Sequence, residues 1–174
     1  RYAARAELQA HYKNVKVERQ MALTKAFDAV ENQPILVYLQ DGTNQLPFGF
    51  PNFREVDKSL GKDRLKTHLM IDIVHGRGCH VYITPEARVA SDPNLTIECL
   101  QRTLKRVEAQ DGYLPPVLYL QLDNCFRENK NSYLVAHLAW LVERKVFKKI
   151  FLSFLPVGHT HNEADQCASC LSIG

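Results

Sequence analysis

No apolar run in this chain approaches the length a membrane crossing needs, because charged or polar residues interrupt every candidate. The amino terminus is charged and polar and lacks the apolar core of a secretory signal. With Arg1 rather than methionine in first place, the sequence is expected to be a piece of a longer chain. Cysteine is sparse: five residues, odd in number and irregularly spaced, argue against a disulfide framework and for a reducing, intracellular compartment. There is no strong excess of either charge, and a net charge of +3 permits contact with nucleic acid without demanding it. No zinc-finger or helix-turn-helix pattern is present, and no Ser or Cys nucleophile arrangement stands out.

What is present suits one sizeable core. The chain has 174 residues, of which 45% are hydrophobic and 24% charged, as in ordinary globular proteins. Basic residues gather in three places: Lys62, Arg64 and Lys66; Arg102, Lys105 and Arg106; and Arg144, Lys145, Lys148 and Lys149. Each cluster alone reads as a solvated surface.

Leu8, Tyr12, Val15, Leu23, Phe27 and Val30 recur at helical steps, which predicts a helix over 6–30 that Asn32 and Pro34 stop. The apolar run 35–40, bounded by Pro34 and Asp41-Gly42, predicts a buried strand. Residues 65–74 and 79–84 flank His75-Gly76-Arg77-Gly78 and predict a hairpin, since two glycines are free to take positive φ. Asp92-Pro93 has the form of an N-cap and first helical residue, opening a helix that Asp111-Gly112 closes. A strand over 117–122, a helix over 133–147, a strand over 150–155 and a polar helix beginning between His159 and Asn162 complete the order. The expectation is an α/β protein with a mixed sheet and helices on both faces. That is the element order of a ribonuclease-H-like fold, here spanning 34–174 behind an amino-terminal helical extension at 1–33.

The chemistry follows from where the carboxylates fall. Asp41 is expected at the end of the first strand and Asp123 at the end of the strand over 117–122, both at the carboxyl edge where open α/β sheets place their sites. On neighbouring parallel strands, about 4.8 Å apart, two such carboxylates repel unless a cation lies between them. Hard oxygen ligands of this kind suit Mg²⁺ or Mn²⁺. Taken singly, Asp41-Gly42 reads as a turn, and Asp123-Asn124 reads equally well as a helix-capping turn. A third ligand is expected from the last helix, where Glu163 and Asp165 lie about 200° apart in rotation and cannot both face one site. His159 shares a helical face with Glu163 and His161 with Asp165, so each acid brings a histidine as supporting partner or further ligand. Arg127 and Lys130, just past Asp123, are placed to meet a phosphate, and Asn129 or Asn131 to cap the next helix. His75 either approaches the site or orders its turn, the turn being favoured.

Two stretches resemble the signatures of a transposon-derived family of eukaryotic genomes. They are Leu120-Gln121-Leu122-Asp123-Asn124-Cys125-Phe126-Arg127-Glu128-Asn129-Lys130-Asn131 and Ser153-Phe154-Leu155-Pro156-Val157-Gly158-His159-Thr160-His161. Weaker agreement runs over nearly the whole chain, through His11 with Arg19, Asp41-Gly42, Leu46-Pro47, His75-Gly76, Asn94-Leu95 and Leu114-Pro115-Pro116. The resemblance implies a nuclease domain of the integrase and DDE transposase superfamily, acting on DNA in the nucleus and often as a homo-oligomer. It favours Asp165 over Glu163 as third ligand; the family often has a second aspartate at the position of Asn44. By similarity to integrase-type enzymes, Asp41, Asp123 and Asp165 would hold two Mg²⁺ or Mn²⁺ ions, one activating water and the other stabilising the departing 3′ oxygen. Two other functions compete. One is a domesticated, catalytically inactive transposase that binds nucleic acid. The other is a zinc module through His159, His161, Cys167 and Cys170, four ligands of the right type within twelve residues.

Overall fold

The computed structural model describes residues 35–43, 65–123, 125, 129–154, 164 and 166–168, together with Val17, Gln20, Met21 and Thr24. Its elements run β1 (Ile35–Thr43), β2 (Thr67–Val74), β3 (Gly78–Pro85), α1 (Pro93–Asp111), β4 (Val117–Leu122), α2 (Ser132–Glu143) and β5 (Lys149–Phe154). The five strands form one mixed sheet in the order β3-β2-β1-β4-β5. β2 is antiparallel to β1 and β3, whereas β4 is parallel to both β1 and β5. The class is therefore α/β.

Local chemistry accounts for the boundaries. In the hairpin turn Gly76 and Gly78 take φ of 77° and 129°, values that side-chain-bearing residues rarely adopt. Arg77 between them ion-pairs with Asp111 at the end of α1, its side chain only 7% exposed, and so ties the turn to the helix. At the start of α1, Asp92 accepts from the backbone N–H groups of Asn94 and Leu95 at 2.9 and 3.1 Å, with Pro93 as the first helical residue. Gly112, in the left-handed region, ends it by donating to the Glu108 carbonyl at 2.8 Å.

Strand alternation divides the core into two faces. Leu36 and Tyr38 of β1 and Leu118, Leu120 and Leu122 of β4 point to α1 and α2, where they meet Leu100, Leu104, Val107, Leu134, Leu138 and Leu141. Each buried leucine there contributes about 1.5–3 kcal/mol of transfer free energy. On the opposite face, Leu39, Leu69 and Ile71 pack against Ala164 and Ala168, helical residues one turn apart. Val37 and Tyr119 form a smaller cluster on that same side.

Several boundaries differ from the sequence expectation. β1 runs past Gln40 because β2 keeps pairing with it through Asp41↔Ile71, Gly42↔Met70 and Thr43↔Leu69. Asp41 thus lies inside the strand and buried, not at its end. α2 stops at Glu143 rather than at Phe147, because Lys145 takes φ of 61° and Val146 donates back to the Leu141 carbonyl at 3.0 Å. Phe147 is still buried, as a loop residue. β5 starts one residue earlier than expected, at Lys149, and the expected last residue, Leu155, lies outside the described residues. Of the helix expected over 6–30, Val17, Gln20, Met21 and Thr24 are helical, and the rest of it lies outside the described residues.

Candidate functional site

The parallel pairing of β1 with β4 runs from Ile35↔Val117 to Gln40↔Leu122. Asp41 and Asp123 each follow this last rung by one residue, Asp123 lying just past the end of β4. Alternation directs Asp41 to the face that carries Leu39 and Gln121, away from α1 and α2. Adjacent strands are about 4.8 Å apart, so the backbones that carry Asp41 and Asp123 are neighbours at this edge of the sheet. Asp41 is 5% exposed and Asp123 is half-buried. Gln121, next to Leu39 in the register, adds a buried amide to the same side. The face is closed on its β2 side by Leu69 and Ile71, where Ala164 and Ala168 pack. Ile71 is the register partner of Asp41, so the carboxyl-terminal helical residues come down beside the Asp41 position.

A chain of hydrogen bonds on the helix side holds this sheet edge. The Gln40 amide donates to the Thr96 carbonyl in the first turn of α1 at 3.2 Å. The Thr96 hydroxyl donates to Asn129 Oδ1 at 3.4 Å, and the Asn129 amide donates to the Asp123 carbonyl at 3.1 Å. Thr96 and Asn129 are both buried, which makes these bonds costly to lose. They link the ends of β1 and β4 through α1, so the backbones that carry Asp41 and Asp123 are fixed relative to each other. Asn129 is thereby occupied, and Asn131 is the residue that caps α2, accepting from the Leu134 N–H at 2.9 Å.

Of the other expected site residues, Lys130 stands at the same carboxyl edge, its ammonium 4.9 Å from the centroid of the Phe154 ring. His75 does not join them. Its N–H bonds to the Val37 carbonyl at 3.0 Å, four residues back along β1 from Asp41, so it belongs to the hairpin end of the sheet. Glu163, Asp165, His159, His161, Arg127 and Asn44 lie outside the described residues. Among the described residues no group of three or more His, Cys, Asp or Glu side chains forms a metal-holding cluster. For the zinc set, Cys167 meets Cys79, sulfur to sulfur at 3.5 Å, while Cys170 lies outside the described residues. The basic clusters are engaged locally: Arg102 pairs with Glu98 at 2.7 Å, Arg106 lies over Tyr82, and Arg144 over Trp140.

Sequence reasoning missed a second polar cluster, on the helix side. Asp72 of β2 is fully buried; one carboxylate oxygen accepts from the Tyr38 hydroxyl and, at 2.8 Å, from Thr103 Oγ1. Thr103 Oγ1 also meets the Tyr82 hydroxyl at 2.8 Å. Burial pushes the Asp72 carboxyl up to about 6 and holds the Tyr38 phenol well above its usual range. The readable signal was an acid in the middle of an apolar strand, Leu69 to Val74. Enclosed under α1, this carboxyl meets no substrate. An open cleft of about 600 Å³ lies between β3 and the start of α1, lined by Tyr82, Ile83, Val89, Leu95 and Arg102. It shares no residue with the carboxylate face.

No helix among the described residues is long and apolar enough to cross a membrane. No curated protein and no solved structure matches the chain. Residues 57–173, about two thirds of the sequence, match the family model described as Domain of unknown function (DUF7869). The match takes in β2 through β5, Asp123 and the carboxyl-terminal segment, and the chain belongs to the DUF7869 family.

Proposed function

We propose that this chain is a ribonuclease-H-like catalytic core of integrase or DDE transposase type, a divalent-metal-dependent nuclease that cleaves DNA phosphodiesters. The observation that carries the reading is the pairing of Gln40 with Leu122 on neighbouring parallel strands, with Asp41 and Asp123 each one residue beyond that rung. The element order and the mixed sheet, with β2 antiparallel to both of its neighbours, support the fold assignment. The packing of Ala164 beside the register partner of Asp41 supports a third acid from Asp165 or Glu163, its two neighbours in the chain.

The donor set fits a hard cation. Paired carboxylates with an amide oxygen nearby offer oxygen ligands only, and leave the outer side of the face to water and phosphate. Asp41, Asp123 and Asp165, or Glu163 in its place, would hold Mg²⁺ or Mn²⁺, which when bound supplies an activated water and charge stabilisation at the departing oxygen. The protein's own contribution is positional. The Gln40–Thr96–Asn129 chain keeps the two aspartate backbones in register. Lys130 adds a cation at this edge of the sheet, over Phe154 on the helix side. DNA as substrate implies a nuclear site of action, and strand joining by the released 3′ hydroxyl would use the same carboxylates, in a homo-oligomer if the chain assembles as integrase-type enzymes do.

The test is nicking of supercoiled DNA with Mg²⁺ or Mn²⁺, comparing the native chain with Asp41→Asn and Asp123→Asn. Each substitution is expected to lower the rate by about 100-fold or more. A rate unchanged in Asp123→Asn would sink the proposal. A folded native chain that binds DNA and never nicks it would favour the binding-only reading.

A further inference from the structure

We infer that Cys79 and Cys167 form a reversible disulfide that fastens the carboxyl-terminal helical segment to the hairpin end of the sheet. The two sulfurs lie 3.5 Å apart, in van der Waals contact, although 88 positions separate them in the chain. An approach of about 1.5 Å, within reach of side-chain rotation, brings them to bonding distance. Cys79 is exposed on β3 and Cys167 is half-buried, so an oxidant can reach the first and the second stands ready to resolve it. Cys99 is buried, and neither it nor Cys125 has a thiol partner among the described residues.

The oxidant is a small disulfide such as oxidised glutathione. The Cys79 thiolate attacks it, forming a mixed disulfide and releasing one glutathione thiol. The Cys167 thiolate then attacks the Cys79 sulfur and releases the second. Two protein thiols are oxidised, one small disulfide is reduced, and both protons pass to the two glutathiones. Burial and the neighbouring Cys167 thiol push Cys79 up to about 11, so at neutral pH the pair rests as a dithiol and reacts slowly.

The bond would act where it matters for this fold. Cys167 packs among the residues with which Ala164 and Ala168 cover Leu39, Leu69 and Ile71, the apolar ground beside Asp41. Oxidation would therefore pin that cover in place. The inference stands on the sulfur contact alone and holds whether or not the carboxylates are catalytic.

The experiment uses the full chain, reduced and then incubated with oxidised glutathione, quenched by alkylation and mapped by peptide mass. The expected result is one cross-linked peptide pair joining Cys79 to Cys167, two protons lighter than the dithiol, reversed by dithiothreitol. Thermal unfolding of the oxidised form should rise by about 5–10 °C, since closing a loop of this length restricts the unfolded chain. Cys79→Ser and Cys167→Ser should each remove the cross-link, while Cys125→Ser and Cys170→Ser should leave it. The native chain alone decides the matter if a serine variant fails to fold. A persistent glutathione adduct on Cys79, or a cross-link that involves Cys125 or Cys170 instead, would overturn the inference.

Discussion

Asp72 supplies the sharpest test of how the buried polar residues work. Its carboxyl is held at about 6, against 3.8 for an unperturbed aspartate, with burial as the largest cause. The hydrogen bonds from Tyr38, Thr103 and Gln40 act in the opposite direction and lose. Because the folded-state pKa is raised, the folded chain keeps a proton that the unfolded chain releases between about pH 4 and pH 6. The stability linked to Asp72 is therefore fully present below pH 4 and is lost as pH rises through 6, a change of about 3 kcal/mol. The geometry fits a protonated acid. Asp72 Oδ1 and Gln40 Oε1 are both buried acceptors without a hydrogen-bond partner among the described residues, on directly paired positions of β2 and β1. A proton on Oδ1 gives Gln40 Oε1 the donor it lacks. Asp72→Asn carries that donor permanently as an amide, and keeps an oxygen for Tyr38 and Thr103. Urea unfolding of both proteins at pH 4.5, 5.5, 6.5 and 7.5 should show the asparagine variant gaining on the native chain by about 2 kcal/mol across the series. A difference that stays flat with pH, or moves the other way, would refute the reasoning.

Other outcomes follow from the same contacts. Asn129→Ala leaves the buried Thr96 hydroxyl and the Asp123 carbonyl without their amide partner and should cost about 1–3 kcal/mol in urea unfolding; a loss under about 0.5 kcal/mol would mean these bonds do not hold the edge. Arg77→Met strands Asp111 beside an apolar side chain and should cost about 3 kcal/mol, whereas Arg77→Met with Asp111→Leu should recover most of it. Equal losses in the single and double variants would show that the ion pair is not what ties the hairpin turn to α1.

Much of the fold was legible because its signals are local. Asp92-Pro93 and Asp111-Gly112 mark the two ends of α1, and the paired glycines around Arg77 mark the hairpin. The parallel adjacency of β1 and β4 was readable for a different reason: strands joined by crossover helices leave few ways to pair. What could not be read depended on partners far along the chain. β1 continues through Asp41 only because β2 pairs there, which no property of Asp41-Gly42 announces. α2 ends early because Lys145 turns left-handed while Phe147 still reaches the core, so the apolar period outlasts the helix. Asp72 sits in an apolar run buried on both faces, and its partners Tyr38 and Thr103 are more than 30 positions away; the contact of Cys79 with Cys167 joins positions 88 apart. For His75 the turn was the favoured reading, and its N–H bonds to the Val37 carbonyl at the hairpin end of the sheet.

The most direct measurement is the anomalous scattering of Mn²⁺ soaked into crystals of the full chain. The account predicts ion density touching the carboxylates of Asp41 and Asp123 and one acid from the segment holding Glu163 and Asp165, absent in Asp123→Asn. Saturating Mn²⁺ that leaves these two aspartates bare, or binds only elsewhere, would contradict it.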